Sequence, residues 1–111
     1  MIDDGSDAPP DGHPADEIDD VVHQRHRLGV MVVLAEAKRA DFSYLKSVLE
    51  LTDGNLGRHL QVLEEAGLVT LDKVFEDGRP RTWVSLTKAG RAALTRELET
   101  MERLIRRVRK R

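Results

Sequence analysis

Between residues 41 and 86 the apolar residues change their spacing from a helical to a strand period, and few small folds accommodate that order. Asp41 is placed to cap a short helix whose Phe42, Leu45, Val48 and Leu49 share one face. Thr52 lies in a short polar link. Leu56, Leu60 and Leu63 then stripe a second helix that ends at Gly67, a residue suited to a left-handed C-cap. Two short helices, each apolar on one side and joined by a tight turn, form the helix-turn-helix pattern. After Gly67 the spacing changes. Leu68–Phe75 and Arg81–Leu86 are rich in β-branched and aromatic residues, and Asp77-Gly78 between them is a hairpin turn signal. A hairpin directly after such a helix is a wing. The expected fold is mainly α with a small β-hairpin, a winged helix-turn-helix.

The flanking segments read as helices with more apolar surface than one small core needs. From about Asp20 to Arg39, Leu28, Met31, Val32 and Ala35 follow the helical period, while Val30, Val33, Leu34 and Ala37 make the helix apolar nearly all round. Gly29 is a mild cost to it. Thr87 is placed to cap a last helix in which Leu94, Leu98, Met101, Ile105 and Val108 alternate steps of four and three, an a/d seam. About two heptads are too few for an independent coiled coil. The seam is therefore expected to pair beside the first helix in one homodimer interface of Leu28, Met31, Val32, Leu94, Leu98, Met101 and Ile105. Packing within the subunit is the alternative for the seam. An apolar ligand among Leu28, Met31 and Val32 is the alternative for the first helix, where dimer core is the preferred reading.

Charge divides the chain unevenly. Residues 1–20 hold eight acidic residues, Asp3, Asp4, Asp7, Asp11, Asp16, Glu17, Asp19 and Asp20, and no Lys or Arg. All 18 Lys and Arg therefore fall in the remainder, which is net basic, as a phosphate-binding domain should be. The leading segment, with Pro9, Pro10, Pro14, Gly5 and Gly12, is read as a disordered acidic tail over 1–18, ahead of a domain over 19–111. It is either a solvated tail or an acidic strip that competes with DNA for the basic face. A length of 111 residues suits one domain, and aromatics at 4% require an aliphatic core. Absence of cysteine excludes disulfides and thiolate metal sites and suits a reducing compartment. No apolar run approaches the roughly 20 residues of a membrane span, and no signal pattern opens the chain. A soluble, cytoplasmic and nucleoid-associated protein is expected.

Taken in order, TDGNLGRHLQVLEEAGLV (52–69), KVFEDGRPRTWVSLT (73–87) and KAGRAAL (88–94) resemble the compact winged-helix regulators of bacteria and archaea related to the MarR and ArsR types. The resemblance covers about Val22 to Leu104. Its specific part is the ordered set: TDGNL opening the recognition helix, a LEEAGLV exit, a basic wing, and LTKAG after it. The resemblance implies that the helix after Thr52 enters the major groove, that the wing touches backbone or minor groove, and that terminal helices build the dimer. The cysteine-containing metal motifs of the arsenic-sensing branch are absent, so metal sensing is not carried over.

With Leu56, Leu60 and Leu63 clustered within about 40° on the helical wheel, the opposite face carries Gly54, Arg58, Gln61 and Glu65, with Asn55 and Val62 to one side. Arg reads guanine bidentately and Asn or Gln reads adenine, so Arg58, Asn55 and Gln61 are the candidate base readers. Thr52 and Gly54 stand at the helix N-terminus, where a hydroxyl and free N–H groups suit phosphate. Gly54 and Gly57 also let a DNA backbone approach. Glu64 and Glu65 repel phosphate, so contact should fade along the helix. An ordinary solvated helix shows the same residue types, and only their place in the motif raises them above it. Thr52 is equally an N-cap. His59, on the flank, is expected to pack or to lie beside a phosphate. Lys73 on the first wing strand and Arg79 and Arg81 at the tip suit backbone or minor-groove contact; protection of a strand edge is the plainer account. The run Arg106–Arg111 suits a helix C-terminus and, equally, nonspecific phosphate contact.

His23 and His26, three residues apart, could begin a metal site but lack a third ligand at motif spacing. No Gly-rich phosphate loop, nucleophile elbow or paired-carboxylate motif is present, so neither enzyme nor cofactor is expected. The reading is a regulator that binds double-stranded DNA as a homodimer on an inverted repeat, by default a repressor. Its rival is a winged helix used for protein–protein contact, which would not need Arg58 and the wing arginines. No small-molecule effector is identified by the sequence.

Overall fold

The computed structural model describes residues 13–110. A 3-10 turn, Pro14–Glu17, leads into α1 (Asp20–His23) and α2 (Arg25–Ala37). There follow β1 (Arg39–Asp41), α3 (Phe42–Leu49), α4 (Asp53–Glu65), β2 (Val69–Glu76), β3 (Arg79–Leu86) and α5 (Lys88–Arg109). The three strands form one antiparallel sheet in the order β1-β3-β2. This is the winged helix arrangement expected, with a third strand added.

Local chemistry explains the element ends. The Asp41 carboxylate accepts from Tyr44 N–H at 2.8 Å, the Thr52 hydroxyl from Asn55 N–H at 3.1 Å, and the Thr87 hydroxyl from Gly90 N–H at 2.9 Å. Each fills an orphan donor of a first turn. At the end of α4, Gly67 takes φ +77. Its N–H donates to Glu64 O at 2.9 Å, and Leu68 N–H donates to Leu63 O at 2.9 Å, the Schellman pair. Asp77 and Gly78, at φ 53 and 78, make the two-residue turn that sets Glu76 opposite Arg79.

Three expectations are corrected. The first long helix is two elements: Gln24 leaves the helix at ψ 130, and its side chain accepts from His26 and Arg27 N–H, starting α2 afresh. Residues 13–18, expected within the disordered tail, are held against α5. Asp19 N–H donates to the Glu97 carboxylate at 3.1 Å, and Arg103 donates to Glu17. The part of the tail reading that concerns residues 1–12 lies outside the described residues. Finally, Met31 and Leu94 are spent in the subunit's own core with Val22, Val30, Leu34, Leu45, Leu56, Leu60, Leu63 and Val84, so neither is available to a partner. Leu28 and Val32 are part-buried against that core. Leu98 and Ile105 stay exposed, with Met101 between them part-buried.

Two close approaches lock the wing and α5 onto the helices. Thr87 N–H and hydroxyl donate to Leu68 O and Gly67 O at 3.0 and 2.7 Å. A Cβ on Gly90 would overlap the Leu68 carbonyl, coming within 2.9 Å of its carbon. This gives the LTKAG segment a packing role. No helix among the described residues is long and apolar enough to cross a membrane.

Candidate nucleic-acid interface

α4 buries Leu56, Leu60 and Leu63 and turns Gly54, Asn55, Arg58, Gln61 and Glu65 to solvent. Three bases of support position this face: the Thr52 cap, the Schellman turn at Gly67, and an ion pair of 2.8 Å between Lys46 of α3 and Asp53. Around Gly54 an added Cβ would meet nothing within 4 Å, so the helix entrance is open. Arg58 makes no ion pair among the described residues, leaving its guanidinium free to point outward. Gln61 is partly engaged, donating to the Glu65 carboxylate at 3.1 Å.

The wing is less uniform than its sequence suggests. Successive residues of a strand face opposite ways, and directly paired residues share a face. Leu71 pairs with Val84 over the core, so Lys73 and Phe75, opposite Thr82 and Pro80, continue that face beyond it. Arg79 and Arg81 lie on the other face with Glu76 and Trp83. The expected set of three wing cations is thus divided between two faces. Arg79, beside the turn, is exposed. Arg81 is drawn back: its Nε lies 3.6 Å from Asp41 and its Nη1 3.5 Å from Glu76, with its guanidinium 5.4 Å from the Trp83 ring. Arg39 covers the same ring at 3.8 Å. Arg81 is therefore chiefly a brace between β1 and the hairpin, and Arg79 is the tip cation.

Several neighbours of this surface were not singled out from sequence. Lys46 beside the α4 entrance and Arg39 over Trp83 depend on contacts across helices and strands. Phe75 is 73% exposed on an otherwise charged hairpin, and its alternation with Val74 was the available signal. Arg27 reaches from α2 to His59 of α4, with Nη1 3.3 Å from Nδ1. The His59 pKa is lowered from its ordinary 6.5, first by burial and then by Arg27, His26 and Arg58.

The two candidate metal histidines have separate partners. His23 Nδ1 donates to the buried carboxylate of Glu97, while the His26 ring lies 5.5 Å from that of His59. No three His, Cys, Asp or Glu side chains gather at metal-binding range among the described residues.

Comparison with known proteins agrees with this geometry. Residues 26–105 match the model of a winged helix DNA-binding domain. An uncharacterized protein of Methanocaldococcus jannaschii is 42% identical over 67 residues, 60% of this chain and 73% of that one. The structure of a transcriptional regulator homologue from Pyrococcus horikoshii superposes with a TM-score of 0.76 at 39% identity, over 80% of this chain and 88% of that one. A MarR-family regulator from Silicibacter pomeroyi shares the fold at a TM-score of 0.62 and 23% identity, over 86% and 64% of the two chains. With residues 26–105 matched and the helix, wing and caps in place, the chain belongs to the winged helix DNA-binding domain family.

Proposed function

We propose that the protein is a transcription regulator that binds double-stranded DNA as a homodimer, reading an inverted repeat with one α4 in each of two successive major grooves. The observation that carries the reading is the outward face of α4, where Asn55, Arg58 and Gln61 stand exposed beside an unobstructed Gly54. Arg58 and Asn55 read bases; Gln61 contributes less because Glu65 already holds its amide. Thr52 and Gly54 meet phosphate at the helix entrance. Arg79 and Lys73 contact backbone from the two faces of the wing, and Arg81 assists mainly by keeping the hairpin in place. Repression by occlusion of the promoter is the mode proposed, and the action is cytoplasmic, at the nucleoid.

Support for the dimer comes from α5. From its middle onward α5 presents Leu98, Ile105 and Val108 to solvent. A second copy of α5, packed beside Leu28 and Val32, would cover that stripe. The rival function, a winged helix that binds protein alone, leaves the open cations Arg58 and Arg79 without a task.

Enrichment from a random duplex library tests the reading. The native protein should select an inverted repeat with half-site centres about one helical turn apart. Arg58→Ala should relax one position in each half-site, costing about 1–3 kcal/mol of discrimination. Failure to enrich any sequence would contradict the reading.

A further inference from the structure

His26 and His59 belong to different helices, yet their rings meet with centroids 5.5 Å apart and planes tilted by 45°. Arg27 is fixed beside them. Its Nε donates to Val21 O at 2.7 Å and its Nη2 to Asp20 O at 3.3 Å, while Nη1 reaches His59 Nδ1 at 3.3 Å. A guanidinium can only donate, so Nδ1 offers its lone pair and the proton of the neutral ring sits on Nε2. Arg27 and His26 of α2 thus meet His59 of α4, while α1 supplies two backbone carbonyls. The charges acting on His59 are those of Arg27, His26 and Arg58, with no carboxylate among them. Such a cluster favours an anion over a further cation.

The place of the cluster identifies that anion. His59 lies one helical turn beyond Asn55 on the same flank of α4, next to the exposed Arg58. A duplex seated on the reading face would run its backbone past this flank.

We propose that the flank of α4 facing the N-terminal turn of α2 is a second DNA-backbone site, in which Arg27, His26 and His59 hold a phosphodiester: as the phosphate arrives a proton from solvent adds to His59 Nδ1, and the Arg27 Nη1 N–H released from that lone pair turns to a phosphate oxygen. The inference rests on the DNA-binding reading above. In the free protein burial, then Arg27, His26 and Arg58, lower the His59 pKa and so favour its neutral form. A phosphate oxygen supplies the opposite charge and favours the imidazolium, so binding and protonation strengthen one another. DNA affinity becomes linked to pH through this flank of α4.

Fluorescence anisotropy with a mixed-sequence duplex of about three helical turns, at fixed low salt between about pH 8 and 5.5, tests this. Native affinity should rise about three- to tenfold towards the acid end, as uptake of up to one proton allows. His59→Gln should lose that gain, His26→Gln should reduce it, and His23→Gln, whose ring bonds Glu97 instead, should keep it. Near pH 5.5 the native salt slope should exceed that of His59→Gln by about one released counterion. Circular dichroism at each pH checks that every variant is folded. A flat native profile with binding intact, or a native-like response in both His59→Gln and His26→Gln, would overturn this proposal alone. Absence of binding to any duplex at every pH would overturn it together with the DNA-binding reading.

Discussion

Glu50, in the turn between α3 and α4, adopts φ 55 and ψ 49, a region that disfavours side chains bearing a Cβ. The turn needs that conformation: Glu50 N–H donates to Ser47 O at 3.3 Å and Leu51 N–H to Lys46 O at 3.0 Å, closing α3 as Gly67 closes α4. Glu50→Gly should therefore raise stability by about 0.5–1 kcal/mol in urea unfolding. An unchanged or lower midpoint would contradict the account of this turn. Glu97 makes the opposite case. Its side chain is buried, and it accepts from Asp19 N–H and His23. Glu97→Ala leaves both donors without their acceptor and should cost about 2–4 kcal/mol, with early proteolysis near residues 13–19. His59 adds a pH dependence to the free protein. Its folded pKa lies below the unfolded value of 6.5, so the unfolded chain binds the proton more readily. The contribution is present above pH 6.5 and is lost as pH falls from there towards the folded pKa. Melting temperatures of His59→Gln should fall less steeply than native across that window.

At the scale of elements, α4 makes a prediction that separates folding from function. Because a Cβ on Gly54 meets nothing, Gly54→Ala should leave stability unchanged or raise it by up to about 1 kcal/mol. The same methyl would stand where a duplex must approach, so DNA affinity should fall. A variant that gains stability and keeps affinity would show that Gly54 lies off the DNA path. The capped ends were legible in the sequence because cap chemistry is local. Asp41, Thr52 and Thr87 announce helix starts, Gly67 an end, and Asp77-Gly78 a hairpin. What was hidden depends on distant partners. β1 has three residues, too few for alternation to register, and exists because Ala40 pairs with Val84 of β3. The Gln24 break is a side-chain cap inside an otherwise helical pattern. Arg81 read as a free tip cation because Asp41, its partner, lies forty residues earlier. Met31 and Leu94 read as interface residues because a helical stripe does not say which of two apolar faces is already covered.

The whole molecule combines the polar outward face of α4, a wing and, in the proposed dimer, the exposed stripe of α5. The proposed dimer would rest on Leu98 and Ile105, both exposed in the subunit. Sedimentation velocity should find a native dimer and, for the paired change Leu98→Asp with Ile105→Asp, a folded monomer with weakened DNA binding. A native monomer at micromolar concentration would move the interface elsewhere. The central claim, that α4 reads bases while the wing supplies backbone affinity, is tested most directly by anisotropy on an enriched duplex and a scrambled one over a range of salt. The account predicts tighter binding to the enriched duplex and a steep fall of affinity with salt. It also predicts loss of preference in Arg58→Ala, and equal weakening on both duplexes in Arg79→Ala. Indifference of both duplexes to salt and to either substitution would contradict it.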